Sequence, residues 1–319
     1  MTVHECVAEA MDNGLGSALE SLEEKRLQMK RGNGRIMFGG AGLTLLLMGW
    51  LVSIQSSAFG YVFVAAVAVI ICALWIRSRN SSMACQFKDE AIPLLLDAAL
   101  PGFRYRGANC VGEDEFDACG LFRSPDRYNG KDYFEGVHGR TALHFSLVHA
   151  EERYETTTTE TDSDGHTTTR TEEHWRDIFK GLFFSADFNK EFHGRTLVRA
   201  GKAGLFSGLF GNLVKLEDPR FSSRFRVYSS DQVEARYILT PRLMERLLEL
   251  ESSLGGFEAS FIGSWVYIAA GGFPYNAFEP DVGRPFTDPA QVTKTLGWIF
   301  HVVGIVEELD LNTRIWSKR

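Results

Sequence analysis

Residues 156–175, TTTTETDSDGHTTTRTEEHW, place carboxylates at the spacing of a calcium-binding loop. Three acidic residues alternate and a glycine follows them: Glu160, Asp162, Asp164 and Gly165. This order matches the first half of a helix–loop–helix calcium site, whose final ligand is a glutamate that binds through both oxygens. Here that final position is Thr171, and Glu172 comes one residue too late. The threonine runs also favour strands over the helices that flank such a site.

The same segment predicts a β-hairpin over residues 151–177. Asp-Gly is a preferred centre of a two-residue hairpin turn, because both central positions take positive φ, and we therefore place the turn at Asp164-Gly165. That register predicts two cross-strand pairs, Thr161 with Thr168 and Tyr154 with Trp175. We expect a projecting β-arm with a polar tip and no calcium.

Six histidines lie between residues 138 and 193 and are the next candidates for a metal site: His138, His144, His149, His166, His174 and His193. No pair of them has the HExxH spacing of a zinc-binding helix. In a strand, His144 and His149 would point to opposite faces, since successive side chains alternate. We predict no metal-binding residue.

Residues 201–212, GKAGLFSGLFGN, form a glycine-rich segment that could bind a phosphate group. The spacing differs from the phosphate-binding motif, because six residues separate Gly194 from Gly201-Lys202, and Ala203 replaces the hydroxyl that binds magnesium. A flexible loop is favoured, and contact with the bilayer or the N-terminal helix is the alternative. The chain has no GxSxG motif, and no cysteine has a context that indicates activation. We therefore predict no catalytic and no cofactor-binding residue.

The net charge of −7 disfavours nucleic acid as a partner, since that binding needs clustered lysine and arginine. The five cysteines are odd in number, scattered, and without a CxxC pair: Cys6, Cys72, Cys85, Cys110 and Cys119. This pattern indicates neither a zinc site nor a disulfide framework, and it fits reduced thiols in a cytosolic setting.

Residues 36–76 contain no charged side chain, which predicts a transmembrane helical hairpin over residues 36–77. A hydrocarbon core of about 30 Å takes about 20 helical residues to cross, so the run is long enough for two spans. QSSAFG divides it into Ile36–Ile54 and Phe59–Ile76. A buried soluble hairpin is the alternative, but it would need an unusually large protein around it.

The charged flanks predict the orientation of this hairpin. Five cations precede the first span and three follow the second: Lys25, Arg26, Lys30, Arg31 and Arg35, then Arg77, Arg79 and Lys88. The turn between the spans carries no charge, so the positive-inside rule places both termini in the cytoplasm. Six residues are predicted to lie at the membrane interfaces, where cations and aromatic rings are favoured: Arg35, Trp50, Tyr61, Trp75, Arg77 and Arg79.

The remaining chain predicts a helical lead over residues 1–35 and a cytoplasmic domain over residues 78–319. Residues 88–100 predict a short helix that is interrupted or kinked at Pro93, and residues 137–150, 175–188 and 257–270 predict strands. Thr240-Pro241 opens a helix that Gly255 ends, with a buried leucine stripe: Leu243, Leu247, Leu250 and Leu254.

Asp288-Pro289 opens the last helix, whose apolar stripe should pack on the sheet of the soluble domain: Val292, Leu296, Ile299, Val303 and Val306. We expect the tail Leu311–Trp316 to lie against the domain as well. Strands and helices do not alternate as in a parallel sheet, so the fold class is membrane-anchored α+β with a mainly antiparallel sheet and packed helices.

Three blocks give the chain a resemblance to a known family: IFKGLFFSADFNKEFHGRT, YSSDQVEARYILTPRLMERL and GIVEELDLNTRIW. The chain resembles a bacterial group of membrane proteins catalogued as a domain of unknown function, from about residue 20 onward. The resemblance implies a helical lead, two adjacent spans and a soluble domain in the bacterial inner membrane, but it implies no activity. The arm of that family is shorter and varied, which puts a chemical role for the threonine-rich tip in doubt.

Two classes of function remain after these exclusions. One is a membrane-tethered interaction or assembly module, whose cytoplasmic domain binds a protein partner, a lipid headgroup or copies of itself. The other is a membrane-anchored enzyme with a site built from scattered His, Asp and Arg residues. The interaction module is favoured, because a projecting arm and an anchor without charged residues can serve binding without any catalytic group. A pore is disfavoured by the wholly apolar spans.

Overall fold

The computed structural model describes residues 2–53, 58–161, 167–188, 190–201, 211–309 and 311. The chain divides into two compact units. The helical unit comprises Met1–Pro101 and Phe278–Gly297, and the sheet unit comprises Gly102–Ala277 and Trp298–Arg319. The segment Phe278–Gly297 therefore groups with the N-terminal helices, although the chain reaches it only after the strands.

The helical unit begins with a short capped helix and a bend. Thr2 accepts a hydrogen bond from the backbone N–H of Glu5, and the Glu5 carboxylate accepts one from the Thr2 N–H. A π-helical turn follows at Met11–Leu15, where Gly14 has φ +108°, a conformation that other residues rarely adopt. The helices of this unit are α1 (Val3–Ala10), α2 (Gly16–Ser53), α3 (Ala58–Ala99) and the first part of α8 (Pro289–Val303).

The prediction of a separate short helix over residues 88–100 is wrong. α3 continues from the apolar segment to Ala99 with Pro93 inside it. Proline removes only one backbone hydrogen bond, and a buried face on both sides of it packs well enough to hold the helix together. The buried residues of that face are Phe87, Ala91, Ile92, Leu95 and Leu96.

Small residues let α2 and α3 approach each other closely. A Cβ atom added to Gly40 would lie 2.9 Å from Sγ of Cys72, and one added to Gly32 would lie 3.2 Å from a guanidinium nitrogen of Arg79. Larger side chains at these two positions would push the helices apart.

The sheet unit contains one antiparallel sheet of nine strands among the described residues, in the order β1-β2-β3-β4-β9-β8-β5-β7-β6. This confirms the predicted α+β class with an antiparallel sheet. The strands are β1 (Arg104–Arg106), β2 (Arg127–His138), β3 (Thr141–Thr161), β4 (Thr167–Asp187), β5 (Arg195–Ala200), β6 (Asn212–Val214), β7 (Phe225–Ser229), β8 (Glu258–Ile262) and β9 (Trp265–Ala270).

Both faces of the central strands are covered. Phe145 and Leu147 lie on one face of β3, Ser146 and Val148 lie on the other, and all four are fully buried. The helices of this unit are α4 (Glu113–Ala118), α5 (Pro219–Arg224), α6 (Gln232–Ile238), α7 (Pro241–Leu254), the end of α8, and α9 (Ile305–Glu308).

Two segments predicted as single strands are hairpins instead. Residues 137–150 contain the turn between β2 and β3, where Gly139 has φ +65°, and residues 257–270 contain the turn between β8 and β9, where Gly263 has φ +61°. Each glycine supplies the positive φ of a two-residue turn. The apolar runs on both sides hide these turns in the sequence.

The predicted hairpin is present, but its predicted register is wrong by one residue. Tyr154 faces His174 rather than Trp175, and Thr161 faces Thr167 rather than Thr168. The cause is a β-bulge in β4: Ala150 faces Phe179, but Glu151 faces Asp177, so Ile178 has no partner. An extra residue shifts all later pairs. The predicted turn at Asp164-Gly165 lies outside the described residues.

The helix opened by Thr240-Pro241 is confirmed. The Thr240 hydroxyl accepts a hydrogen bond from the N–H of Leu243, Gly255 takes the left-handed conformation at the other end, and all four leucines of the predicted stripe are buried. The strand predicted over residues 175–188 is confirmed as part of β4, which ends at Asp187, but its predicted burial holds only between Phe179 and Ala186, and Trp175, Arg176 and Asp177 are exposed.

The last helix differs from its prediction in two ways. α8 ends at Val303, and Gly304 separates it from α9. All five residues of the predicted stripe are buried, but Val292 and Leu296 belong to the helical unit and only the later three belong to the sheet unit. Leu311 is buried. Residues 312–316 of the predicted tail lie outside the described part of the chain.

Candidate functional site

The apolar parts of α2 and α3 expose large hydrophobic side chains between Met37 and Leu47 and between Val62 and Trp75. Monomeric soluble proteins rarely expose a contiguous apolar surface of this kind. Within the described residues, one helix, Gly60–Ala99, is long and apolar enough to cross a membrane, and none of its most apolar stretch is buried. The exposed side chains are Met37, Phe38, Leu43, Leu45, Leu46, Leu47, Val62, Phe63, Val67, Val69, Ile70, Ile71, Leu74 and Trp75.

The residues predicted at the membrane interfaces lie at the ends of this apolar surface. Arg35, Trp75 and Arg77 are exposed, and Tyr61 and Arg79 are half-buried. Arg79 packs against Gly32 of the neighbouring helix. The side chain of Trp50 and the turn at residues 54–57 lie outside the described part.

Below the apolar surface, a buried ion pair joins α2 to the segment Phe278–Gly297. Arg26 donates from Nε and from one Nη to the two carboxylate oxygens of Glu23, at 2.7 and 2.5 Å. The other Nη donates to the carbonyl of Val282 at 3.2 Å, and Glu23 also accepts the backbone N–H of Phe286 at 2.8 Å. Arg26 is only 3% exposed, and its guanidinium lies 5.8 Å from the ring centroid of Phe286.

Two further cations bind the same segment. Lys88 of α3 is buried and pairs with Glu279 at 3.0 Å, and Lys30 of α2 donates to the carbonyl of Gly283 at 2.8 Å. Phe87 packs on Phe286 with ring centroids 4.7 Å apart. We call the set Glu23, Arg26, Lys30, Phe87, Lys88, Glu279 and Phe286 the polar clamp.

Interactions within the polar clamp favour the charged forms of Glu23 and Arg26. Hydrogen bonds from Arg26 hold the pKa of the Glu23 carboxyl below its usual value, and the same carboxylate raises the pKa of Arg26. The sequence identified Arg26, Lys30 and Lys88 only as flanking charges that set orientation. Glu23 is a local partner of Arg26, three residues away, but the other partners of these cations are about 190 to 256 residues away in sequence, and no local pattern connects them.

A half-buried carboxylate on α4 is the strongest candidate for catalysis. One oxygen of Glu115 lies 2.7 Å from Nε2 of His144 and accepts the hydroxyl of Ser185 at 2.8 Å. Burial raises the pKa of Glu115, but His144 and Ser185 outweigh it and the net shift is downward. Ser185 is fully buried and binds the acid rather than the imidazole. This is not the nucleophile–base–acid order of a catalytic triad.

Residues 202–210 of the predicted glycine-rich loop lie outside the described residues. Among the residues that the structure does describe, His149, Glu151 and Asp177 have ligand atoms that all lie within 4.8 Å of one another. All five cysteines are free thiols.

We expect Glu308→Gln to raise the melting temperature of the protein at pH 7. Burial raises the pKa of the Glu308 carboxyl, and its Oε2 has no hydrogen-bond partner among the described residues. A carboxyl group whose pKa is raised in the folded state destabilises the protein as the pH rises above the pKa of that group in the unfolded chain, which is about 4.3. The increase in melting temperature should therefore become smaller as the pH falls from 7 toward about 4.3. Thermal unfolding of the unchanged chain and the variant at these two pH values measures the increase.

The exposed Glu245 supplies the control for this substitution. Glu245→Gln should leave the melting temperature nearly unchanged at both pH values. A decrease for Glu308→Gln at pH 7 would show that the charged carboxylate has a favourable partner.

Residues 177–311 match the family model described as "Protein of unknown function (DUF3137)". The match covers the inner part of β4 and the later strands and helices, and residues 1–176 lie outside it. No curated protein and no solved structure matches the chain. Residues 177–311 are thus similar to a domain of unknown function, as the three sequence blocks predicted.

Proposed function

We propose that the protein is a two-pass membrane protein that presents its sheet unit in the cytoplasm as an interaction or assembly module. The observation that carries this proposal is the apolar surface that α2 exposes over residues 37–47 and α3 over residues 62–75. A bilayer would cover that surface, and the helical backbone satisfies its own hydrogen bonds there. In this proposal, the membrane is the bacterial inner membrane.

The charges at the ends of the helices support the orientation. Arg35 ends the polar part of α2, and Arg77 and Arg79 begin the polar part of α3. Positive residues next to spans are retained on the cytoplasmic side, which gives cytoplasmic N and C termini. Trp75 would lie at the inner interface, and Trp50 and Tyr61 at the outer one.

The β-arm supports the choice of an interaction module. Beyond Arg127↔Glu151 on one side and Leu182↔Ala270 on the other, β3 and β4 pair only with each other among the described strands. About ten residues in each strand thus form a two-stranded ribbon about 30 Å long. Isolated ribbons of this kind are marginally stable, so a partner that pairs with or covers the arm would stabilise it.

The charge of the arm indicates the chemistry of that partner. Residues 151–177 carry nine carboxylates and three arginines. An anionic membrane surface would repel such an arm, whereas a basic protein surface would attract it. A basic protein is therefore favoured over lipid or nucleic acid, and self-association through the arm is the second choice.

Shortening the arm tests the module. Glu155 and Glu173 lie directly opposite each other, so replacing residues 156–172 by Asn-Gly should close a shorter hairpin. We expect the intact chain, extracted from membranes in detergent, to retain a basic protein that the shortened chain loses. Both chains should have the same melting temperature, because Thr156–Thr159 and Thr169–Glu172, the removed residues whose side chains are described, are exposed.

A second variant removes charge but keeps the length of the arm, and so separates the effect of the arm's charge from that of its shape. Glu155→Gln with Glu173→Gln should weaken capture and make it less sensitive to salt. If the intact and shortened chains retain the same proteins, then the arm is not the binding element. The alternative of a membrane-anchored enzyme would then be preferred, with Glu115 and His144 as the first residues to substitute.

A further inference from the structure

Three side chains with metal-binding atoms converge at the base of the arm, where it leaves the sheet. His149 and Glu151 are two residues apart on β3 and share a face, and Asp177 lies opposite Glu151 on β4. Nε2 of His149 lies 2.8 Å from Oδ1 of Asp177, and the ligand atoms of all three lie within 4.8 Å of one another. His149 and Glu151 are mostly shielded from solvent, with side chains 22% and 16% exposed.

The β-bulge is what brings the two carboxylates together. Within the inner sheet Ala150 faces Phe179, and that register would set Glu151 opposite Ile178. The extra residue sets Asp177 there instead. Like charges directly opposite each other in an antiparallel pair are destabilising, so the bulge creates an unfavourable pair unless a cation lies between its members.

Three cations lie near the base of the arm. Arg127 lies 3.4 Å from one oxygen of Glu151, and its guanidinium stacks 3.8 Å from the centroid of Trp175. Lys131 and Lys180 both lie against the ring of Tyr275, at 5.0 and 5.4 Å from its centroid.

The donor set selects the class of ion. One imidazole nitrogen and two carboxylates suit zinc and neighbouring divalent transition metals, whereas calcium and magnesium prefer oxygen ligands alone. Three protein ligands leave at least one coordination position for water or a partner's side chain. Zinc lies about 2.0–2.2 Å from its nitrogen and oxygen ligands. Three ligand atoms that lie within 4.8 Å of one another therefore need little movement to bind one ion.

We propose that His149, Glu151 and Asp177 bind a divalent transition-metal ion of the zinc class at the base of the arm. The ion ties β3 to β4 at the point where β3 loses its other neighbour β2, beyond the end of the pairing of β4 with β9. Binding therefore orders the arm relative to the sheet, in addition to any role that the arm has with a partner.

The test uses the full chain in detergent, with its affinity tag removed and its metals stripped by a chelator. Calorimetric titration with zinc chloride should show saturable binding of one ion per chain, and cobalt chloride should give visible absorption bands. His149→Ala and Asp177→Asn should each weaken zinc binding by at least about tenfold. Zinc should raise the melting temperature of the unchanged chain more than that of either variant.

Two controls keep the outcome clear. His174→Ala removes an exposed histidine of the arm and should leave zinc affinity unchanged. Without metal, Asp177→Asn should be at least as stable as the unchanged chain, because it removes the repulsion, and this shows that the variant folds. Absence of saturable zinc binding would overturn the proposal. Equal affinity in Asp177→Asn, or an equal loss in His174→Ala, would overturn it too.

Discussion

Replacing Glu23 by glutamine should lower the free energy of unfolding of the helical unit by about 3–5 kcal/mol. Glu23 accepts hydrogen bonds from Nε and one Nη of Arg26 and from the backbone N–H of Phe286, and Arg26 is buried. Removing the carboxylate leaves a buried charge without compensation, which costs more than the pair itself contributes. Thermal unfolding of the full chain in detergent measures the loss.

The exposed pair Lys25–Glu90 is the matched control, with side chains 47% and 40% exposed. Lys25→Ala removes a salt bridge of the same kind from solvent and should cost at most about 1 kcal/mol. Equal effects of the two substitutions would show that Arg26 is not held in a buried site. Limited proteolysis between residues 278 and 291 should increase only in Glu23→Gln, because that segment is bound by the polar clamp.

The contribution of Glu23 should depend on pH with a known sign. Its pKa is lowered in the folded state, mainly by the hydrogen bonds from Arg26. Its stabilising effect is therefore fully present above the unfolded value of about 4.3 and is lost as the pH falls through the lower folded value. The gap in melting temperature between the unchanged chain and Glu23→Gln should narrow below about pH 4 and stay constant above pH 6.

Leu296→Ala should also lower the melting temperature clearly, by the equivalent of about 2–5 kcal/mol. Leu296 is fully buried on α8, between the equally buried Val292 and Ile299. Truncation removes apolar surface from the core and leaves a cavity, and domains are stable by only about 5–15 kcal/mol. Thermal unfolding of the full chain measures the change.

Lys294 lies on the exposed side of the same helix and supplies the control. Lys294→Ala should hardly change the melting temperature. If Leu296→Ala left stability unchanged and reduced binding to liposomes or to a partner, then this face of α8 would be a docking surface rather than part of the core.

Local signals in the sequence predicted the elements that depend on local chemistry. Thr240, Pro241 and Gly255 place both ends of α7 correctly, since a cap and a left-handed terminus involve only neighbouring residues. The apolar stripe of α8 was equally visible. The family resemblance predicted a domain of unknown function, which the match over residues 177–311 supports.

Features that depend on distant residues could not be predicted in this way. The bulge at Ile178 shifts the pairing of β4 with β3, and nothing in IFKGLFF marks it. The carbonyl of Val282 that Arg26 binds and the carboxylate of Glu279 that Lys88 binds lie in a segment that the chain reaches about 190 or more residues later. Pro93 indicated a helix break, yet buried packing on both sides kept α3 continuous.

The most direct test of the membrane anchor is the accessibility of single cysteines. The five native cysteines would be replaced, and one cysteine would be placed either at Ser57, between the apolar segments, or at Ser252, on the exposed side of α7. Spheroplasts would be treated with a membrane-impermeant thiol reagent before and after lysis. We predict labelling of Ser57→Cys before lysis and of Ser252→Cys only after lysis. Labelling of Ser252→Cys in intact spheroplasts, or protection of Ser57→Cys until lysis, would contradict a two-pass anchor with a cytoplasmic sheet unit.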